Sequence, residues 1–332
     1  MVSFLIIQTA SIGDVILTTP LMESLHAAFP EAKIDLLVKK GHEVLFEGHP
    51  FLRRVIPWDK SSRKYLRLVG LTRTIRSSRY QHVINIQRFG STGWITACSG
   101  ARFRSGFNKN PFSVFFTHRP AHILSADGHP VHEVDRNLSL ISYLEIKSLR
   151  KPKLYPSLSD QATVSGYKKV PYLCIAPASL WFTKQFPAEK WIGFLDAVPK
   201  DLMVYLTGSA QDESLCESIM HRTRHRSVIS LAGKLTLLQT AALMKDARMN
   251  FVNDSAPQHL ASAVDAPVSA IFCSTVPSFG FGPLSENSSV IETGEPLKCR
   301  PCGLHGHHRC PEEHFQCALT IQINQLLERI PG

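Results

Sequence analysis

The sequence predicts an α/β protein built from two Rossmann-like domains facing one another across a cleft. Three observations lead there. The chain opens on an uninterrupted apolar run, Phe4 to Ile7, which reads as a strand buried on both faces of a parallel sheet. Strand-like and helix-like stretches then alternate, in two series. Between the series lies Lys151-Pro-Lys-Leu-Tyr-Pro-Ser-Leu-Ser159, with two prolines and no periodicity, the best linker in the chain. The expected organisation is one domain over 1–150, a linker over 151–160 and a second domain over 161–332, and 332 residues suffice for two cores. No sequence repeat relates the halves.

In the first half, the opening strand runs into the small residues Thr9, Ala10, Ser11 and Gly13, a tight turn with exposed backbone amides. Asp14 follows at the start of a helix, at the carboxyl edge of the sheet, where open α/β sheets place ligands. Its carboxylate is either a helix cap or a working group. Lys33 to Val38 is a second strand and Val55-Ile56 a short third. From Ser61 to Tyr80, Leu68, Leu71 and Ile75 fall on one side of a helix whose other side carries Arg63, Lys64, Arg67, Arg73, Arg76 and Arg79. Such a face is either simply solvated or a surface for phosphates or anionic lipid. His82 to Gln87 is a strand, Arg88 to Gly93 turns into a helix ending near Ser99, and short strands and loops continue to about Ile123. Val131 to Leu144 then reads as one amphipathic helix with Val134, Leu138, Ile141 and Leu144 on its apolar side.

In the second half, strands are expected at Tyr172–Ala176, Leu202–Thr207, Val228-Ile229, Asn250–Val252 and Val268–Phe272. Helices alternate with them at Pro187–Val198, Asp212–His221, Thr236–Lys245 and Pro257–Val264, and Thr320–Arg329 closes the chain as a helix.

Composition narrows the function. The chain is 44% hydrophobic and 19% charged, which is globular. No stretch approaches the ~18 apolar residues of a membrane span. The first apolar run is short and lacks a basic flank, unlike a signal peptide, so a cytoplasmic protein is expected. The net charge of +10 favours an anionic partner. No nucleic-acid module is recognisable, which leaves a small anionic ligand or an anionic surface. No G-x-G-x-x-G follows the first strand, and Gly233-Lys234 lacks the Walker spacing, so dinucleotide and phosphate-loop chemistry are disfavoured.

Phe251-Val-Asn-Asp254-Ser255-Ala256-Pro257-Gln258-His259 instead places a strand end, a polar turn and a proline-started helix in succession. The amides and dipole of such a terminus can bind phosphate without metal, although Asp254 or Ser255 could equally be a cap worth about 1 kcal/mol. Lys184 lies in a loop after the first strand of the second half, where a cation could neutralise a leaving phosphate or merely sit at the surface.

Taken together, Ser11-Ile-Gly-Asp14 with Val15–Pro20, Val131-His-Glu-Val-Asp-Arg-Asn137, the Lys184-Gln-Phe-Pro stretch, Leu231-Ala-Gly233, Asn253-Asp-Ser255 with His259-Leu-Ala, and Cys299-Arg-Pro-Cys302 resemble the ADP-heptose:lipopolysaccharide heptosyltransferases, glycosyltransferase family 9. The resemblance runs from Leu5 to about Leu319. It implies a GT-B fold, an acceptor on the N-terminal domain and ADP-heptose on the C-terminal one. Asp14 matches the family's catalytic base, Lys184 the lysine that meets the donor diphosphate, and Ser179 the hydroxyl residue before it. Asp254, Ser255 and His259 match the donor-binding turn. Ala256 stands where the family usually has glycine, adding a methyl at a close backbone approach. Thr207, Gly208 and Gly233 are assigned to the same donor site, and Ser11, Gly13, Arg63 and Arg67 to the acceptor.

The reaction so implied is an inverting, metal-independent transfer of heptose to the lipopolysaccharide inner core, by a monomer at the cytoplasmic face of the inner membrane. No cofactor is required and no nucleic acid is bound. The alternatives are a relative using another nucleotide sugar, a nucleotide-sugar-binding protein without turnover, or a zinc-stabilised interaction protein. Zinc would come from Cys299, Cys302, Cys310 and Cys317, but the second pair lacks C-x-x-C spacing, and free buried thiols are favoured there. Cys98, Cys174, Cys216 and Cys273 read as buried small hydrophobes.

Overall fold

The computed structural model describes residues 2–61 and 64–331. The chain divides into two compact units, Met1–Tyr155 and Pro156–Gly332.

The first unit runs β1 (Ser3–Ile7), α1 (Ile12–Ile16), α2 (Thr19–Ala28), β2 (Lys33–Lys39), β3 (Leu52–Trp58), α3 (Lys64–Ser77), β4 (His82–Asn85), α4 (Gly90–Cys98) and β5 (Phe103–Gly106). A two-residue hairpin, β6 (Ser125–Ala126) with β7 (His129–Pro130), and α5 (Glu133–Ser139) follow. The sheet order is β3-β2-β1-β4-β5, and every ladder is parallel. Phe4 to Ile7 are fully buried in the centre strand, which is why that run carries no polar residue. Leu5 and Ile7 share a core with Trp58, Ile75, Tyr80 and Ile95, against which Leu68 and Leu71 of α3 pack. That is the apolar side expected for this helix.

Two expectations in this unit change. β3 is longer than Val55-Ile56, because Arg53 and Arg54 are neutralised by Asp35 on the neighbouring strand, at 2.5 and 2.7 Å. The helix expected over Val131–Leu144 ends at Ser139, and residues 142–144 form a separate 3-10 turn. The Ser139 hydroxyl donates to Arg136 O at 2.6 Å and that of Ser142 to Ser139 O at 3.0 Å, bonds that compete with the helical ladder.

The second unit runs α6 (Leu158–Val164), β8 (Tyr172–Ala176), α7 (Ala188–Ala197), β9 (Met203–Leu206), α8 (Glu213–Arg222), β10 (Val228–Ser230), α9 (Leu237–Lys245), β11 (Met249–Asn253), α10 (Ala256–Ala263), β12 (Val268–Phe272), β13 (Ser288–Glu292), α11 (Gln316–Leu319) and α12 (Ile323–Leu327). Its six strands are also all parallel, in the order β10-β9-β8-β11-β12-β13. Trp191 and Phe194 of α7 meet Phe251 and Phe186 in the core under this sheet.

Here too the structure corrects the sequence. The stretch expected to be linker already contains the start of α6, set by a capping box in which Ser157 and Asp160 bond each other's amides. β13 had no sequence signal. The closing helix is two short ones, since Gln322 caps α12 with its partner Gln325 and so begins a new helix. Cys174, Cys216 and Cys273 are buried as expected, whereas Cys98 is half-buried. Among the described residues no helix is long and apolar enough to cross a membrane.

Candidate active site

In each sheet the strand order reverses between the first strand and the fourth, and the gap at their carboxyl ends is where such sheets bind ligands. In the first unit that point lies between β1 and β4. The two loops there are joined by a hydrogen bond from the Gln87 side-chain amide to that of Gln8. Asp14 stands at this edge, in the first turn of α1. Its Oδ2 accepts from Ser11 N at 3.1 Å and Ser11 Oγ at 2.6 Å, while Ser11 Oγ caps Asp14 N at 3.4 Å. The cap reading of Asp14 is therefore satisfied, and one carboxylate oxygen carries all the bonds to Ser11. Gly13 is buried in the same turn.

The helix carrying the Val131–Asn137 motif supports this edge from beside. Asn137 Nδ2 donates to Leu17 O at the end of α1, at 3.2 Å. Glu133 and Arg136 form a buried ion pair at 2.6 Å. Burial pushes the Glu133 carboxyl up against the pull of Arg136, and the Asp14 charge adds to the rise, so the two carboxylates feel one another. The motif carries the family resemblance in sequence, but that Glu133, Arg136 and Asn137 support the Asp14 edge is visible only in the fold. Lys60 Nζ bonds Thr9 Oγ1 at 2.9 Å, adding a cation to the same loop. Arg67, expected to meet the acceptor, is ion-paired with Asp59, whose carboxyl Ser61 and Arg67 together hold well below the usual range. Arg63 lies outside the described residues.

In the second unit the reversal lies between β8 and β11. Asn253, the last residue of β11, ties the two loops together. Its Oδ1 accepts from Phe186 N at 2.9 Å, and its Nδ2 donates to Pro177 O at 2.8 Å and Ala178 O at 3.3 Å. The loop between, 177–186, carries Ser179 and Lys184, and Gln185 holds its start by donating to Ser179 O at 2.6 Å. The Lys184 ammonium reaches Asp254 Oδ2 at 2.6 Å, and the two side chains are only 16% and 8% exposed. Thr275 donates to the same oxygen at 2.6 Å, and Gln258 to the other at 3.1 Å. Ser255 is the N-cap of α10 and makes no side-chain cap, while Ala256 and Pro257 begin the helix. His259 is buried beside Gln258 at 3.4 Å.

Thr207 and Gly208 follow β9, the next strand out. Gly233 N donates to Gly208 O at 3.0 Å, so these glycines lie together at the same sheet edge. A Cβ on Gly208 would come 2.8 Å from Asp212 Cβ, and Gly233 has φ +71° with Ala210 Cα 3.0 Å from where its Cβ would be. Both positions require glycine for packing. No hydrogen bond or ion pair links this pair directly to Lys184 or Asp254.

Sequence reading missed the brace behind Lys184. Thr183 is buried, its Oγ1 accepting from His307 N at 2.8 Å and Ser274 Oγ at 3.1 Å. Gly306, at φ +78°, passes so close that a Cβ would meet Thr183 Oγ1 at 2.9 Å and Lys184 Cγ at 3.0 Å. Cys299, Cys302, Cys310 and Cys317 line a small cavity beside Thr183, with Cys299 Sγ 3.9 Å from His314 Nε2. Among the described residues, no group of three or more His, Cys, Asp or Glu side chains is gathered to hold a metal ion.

Comparison with known proteins agrees with this architecture. The sequence model of glycosyltransferase family 9 (heptosyltransferase) matches residues 68–308. Lipopolysaccharide heptosyltransferase 3 of Escherichia coli is 28% identical over 301 residues, covering 85% of this chain and 86% of its own. Among solved structures, a family 9 glycosyl transferase from Veillonella parvula superposes with TM-score 0.83 at 19% identity, over 98% of this chain and 95% of that one. E. coli ADP-heptose LPS heptosyltransferase II does so with TM-score 0.79 at 20% identity, over 98% and 97%. The fold is thus the GT-B fold of these enzymes. With most of its length matched by the family model, the chain belongs to glycosyltransferase family 9, the heptosyltransferases.

Proposed function

We propose that the protein transfers heptose from ADP-L-glycero-D-manno-heptose to the lipopolysaccharide inner core, with inversion at the anomeric carbon. The first unit takes the acceptor and the second the nucleotide sugar. The observation that carries the reading is Lys184 held on Asp254 beside the start of α10, at the reversal point of the second sheet. A half-buried ammonium next to the amides of Ser255 and Ala256 offers a leaving diphosphate both a cation and a helix terminus.

In this mechanism Asp14 accepts the proton of the attacking acceptor hydroxyl. The new C–O bond forms as the bond from the anomeric carbon to the ADP oxygen breaks. The negative charge that appears on ADP is taken up by Lys184 and the α10 amides. Asp254 positions Lys184, Ser179 and His259 complete the donor pocket, and the Gly208–Gly233 pair forms its neighbouring wall. These groups supply the charge stabilisation with no metal in the scheme. The enzyme works on a lipid-borne acceptor at the cytoplasmic face of the inner membrane.

The test is turnover of ADP-heptose with defined lipid A–Kdo and heptosylated acceptors, followed by mass spectrometry. Addition of one heptose mass, with ADP released, is expected. Stabilisation by UDP or GDP in preference to ADP, with no heptose added, overturns the reading.

A further inference from the structure

Of the 37 Lys and Arg and 27 Asp and Glu in the chain, residues 60–126 hold twelve and none, leaving 25 against 27 elsewhere. The entire positive excess of the protein therefore comes from one stretch of the first unit. The same stretch leaves large apolar side chains in solvent: Phe89 is 65% exposed, Trp94 42%, Val114 69% and Phe115 57%. Scattered exposed apolar residues are ordinary, but a cluster of them with cations is not.

These side chains form one platform. Trp94 of α4 meets Phe112 edge-on at 5.9 Å, and Phe112 meets Phe115 at 6.4 Å. Buried Asn110 fixes the pieces, donating to Gln87 O and Phe89 O at 3.0 and 3.1 Å while accepting from Phe112 N at 2.9 Å. Gly93 is pressed onto it, since a Cβ there would fall 2.1 Å from Asn110 Oδ1. The platform is thus rigidly built rather than a loose loop. Exposed Arg88 and Lys109 flank it. Arg76 donates to Cys98 O at 3.1 Å near the carboxyl ends of α3 and α4, so these helices run side by side in one direction. Both begin at the sheet edge that carries Asp14.

We propose that the Phe89–Trp94–Phe112–Phe115 platform, with Arg88 and Lys109, seats the first unit on an anionic phospholipid bilayer. Aromatic rings settle at the headgroup boundary, and cations near such a surface are drawn to its anionic headgroups. Because the platform shares its sheet edge with Asp14, docking presents the proposed base to a lipid-borne acceptor. The proposal rests on the reading that the acceptor is membrane-borne.

The test is flotation of the full chain with phosphatidylcholine vesicles containing or lacking phosphatidylglycerol. Association with the phosphatidylglycerol vesicles is expected to exceed that with pure phosphatidylcholine by tenfold or more. Trp94→Ser/Phe115→Ser and Arg88→Glu/Lys109→Glu should each reduce it by about tenfold, with unaltered melting curves. No preference for phosphatidylglycerol, or a Trp94→Ser/Phe115→Ser variant that floats like the parent, overturns the proposal. So does single-stranded RNA that binds this platform as tightly as the vesicles do. Turnover of a short water-soluble core acceptor separates the two readings, since the Trp94→Ser/Phe115→Ser variant should retain it. A parent chain that turns over this acceptor but shows no preference for phosphatidylglycerol vesicles overturns docking alone. Vesicle binding without any heptose transfer supports docking and overturns the catalytic reading.

Discussion

The Lys184 ammonium and the Asp254 carboxylate lie 2.6 Å apart, both largely buried. Removing the cation leaves a buried carboxylate supported by Thr275 and Gln258 alone. Lys184→Met is expected to lower kcat by roughly 10²–10³, as for loss of one preorganised charge partner. It should also cost about 3–5 kcal/mol of stability, because the orphaned charge remains. Lys184→Met/Asp254→Leu should recover part of that stability and none of the activity. Steady-state kinetics and denaturant melts of the parent and these two variants check this.

For Asp14, substitution by asparagine separates cap from base. An asparagine Oδ1 at this N3 position can still accept from Ser11 in the capping box, so Asp14→Asn should change stability by less than ~1 kcal/mol and leave ADP binding intact. Transfer should fall by roughly 10²–10⁴, since the amide cannot accept the proton. Calorimetric ADP titration beside a transfer assay reads both. A fully active Asn variant would return Asp14 to capping.

Asn253 makes four bonds from one buried amide, with Phe186, Ala176, Pro177 and Ala178. Asn253→Ala strands a buried N–H and at least one carbonyl, each worth ~1–3 kcal/mol. Loss of about 2–4 kcal/mol of stability is expected, together with loss of thermal stabilisation by ADP. Differential scanning fluorimetry with and without ADP measures both effects.

Acid should loosen the first unit. His82 is stacked between Phe4 and Phe103, both at 4.7 Å, and burial brings its pKa down to about 4. Burial does the same for His49, aided by His26 and Lys153, and for His122, aided by Arg88, Arg136 and Lys109, each to about 4. The folded pKa lies below the unfolded one, so the unfolded chain binds more protons between pH ~6.5 and ~4. Stability from these neutral rings is complete above that window and lost as pH falls through it. His82 alone accounts for up to ~3 kcal/mol. Melts from pH 7 to pH 4.5 should therefore be less pH-dependent in His82→Leu than in the parent.

Much of this fold could be read directly. Phe4–Ile7 and Tyr172–Ala176 are central parallel strands, buried on both faces, and so appear as apolar runs. β13 escaped because it is an edge strand with one fully buried residue, Ile291, among half-buried ones. β3 escaped in part because its arginines are paid for by Asp35, a partner 18 and 19 residues away. Lys184 and Asp254 were legible through short motifs whose order matched a family. Thr275, Thr183 and the Gly306–His307 brace were not, because each reaches its partner only through the tertiary fold. His307 meets Thr183 across 124 residues of sequence, a distance over which no local pattern operates.

That last contact also sets an order of events during synthesis. Both sheets have all their strands once the chain has been made to Glu292. Gly306 and His307, which wall in Lys184 and cap Thr183, leave the ribosome only afterwards. A nascent chain halted between these points holds a scaffold in which Asp254 already reaches Lys184 but the Gly306–His307 brace is missing, so the last wall of the site is added as a final step of translation.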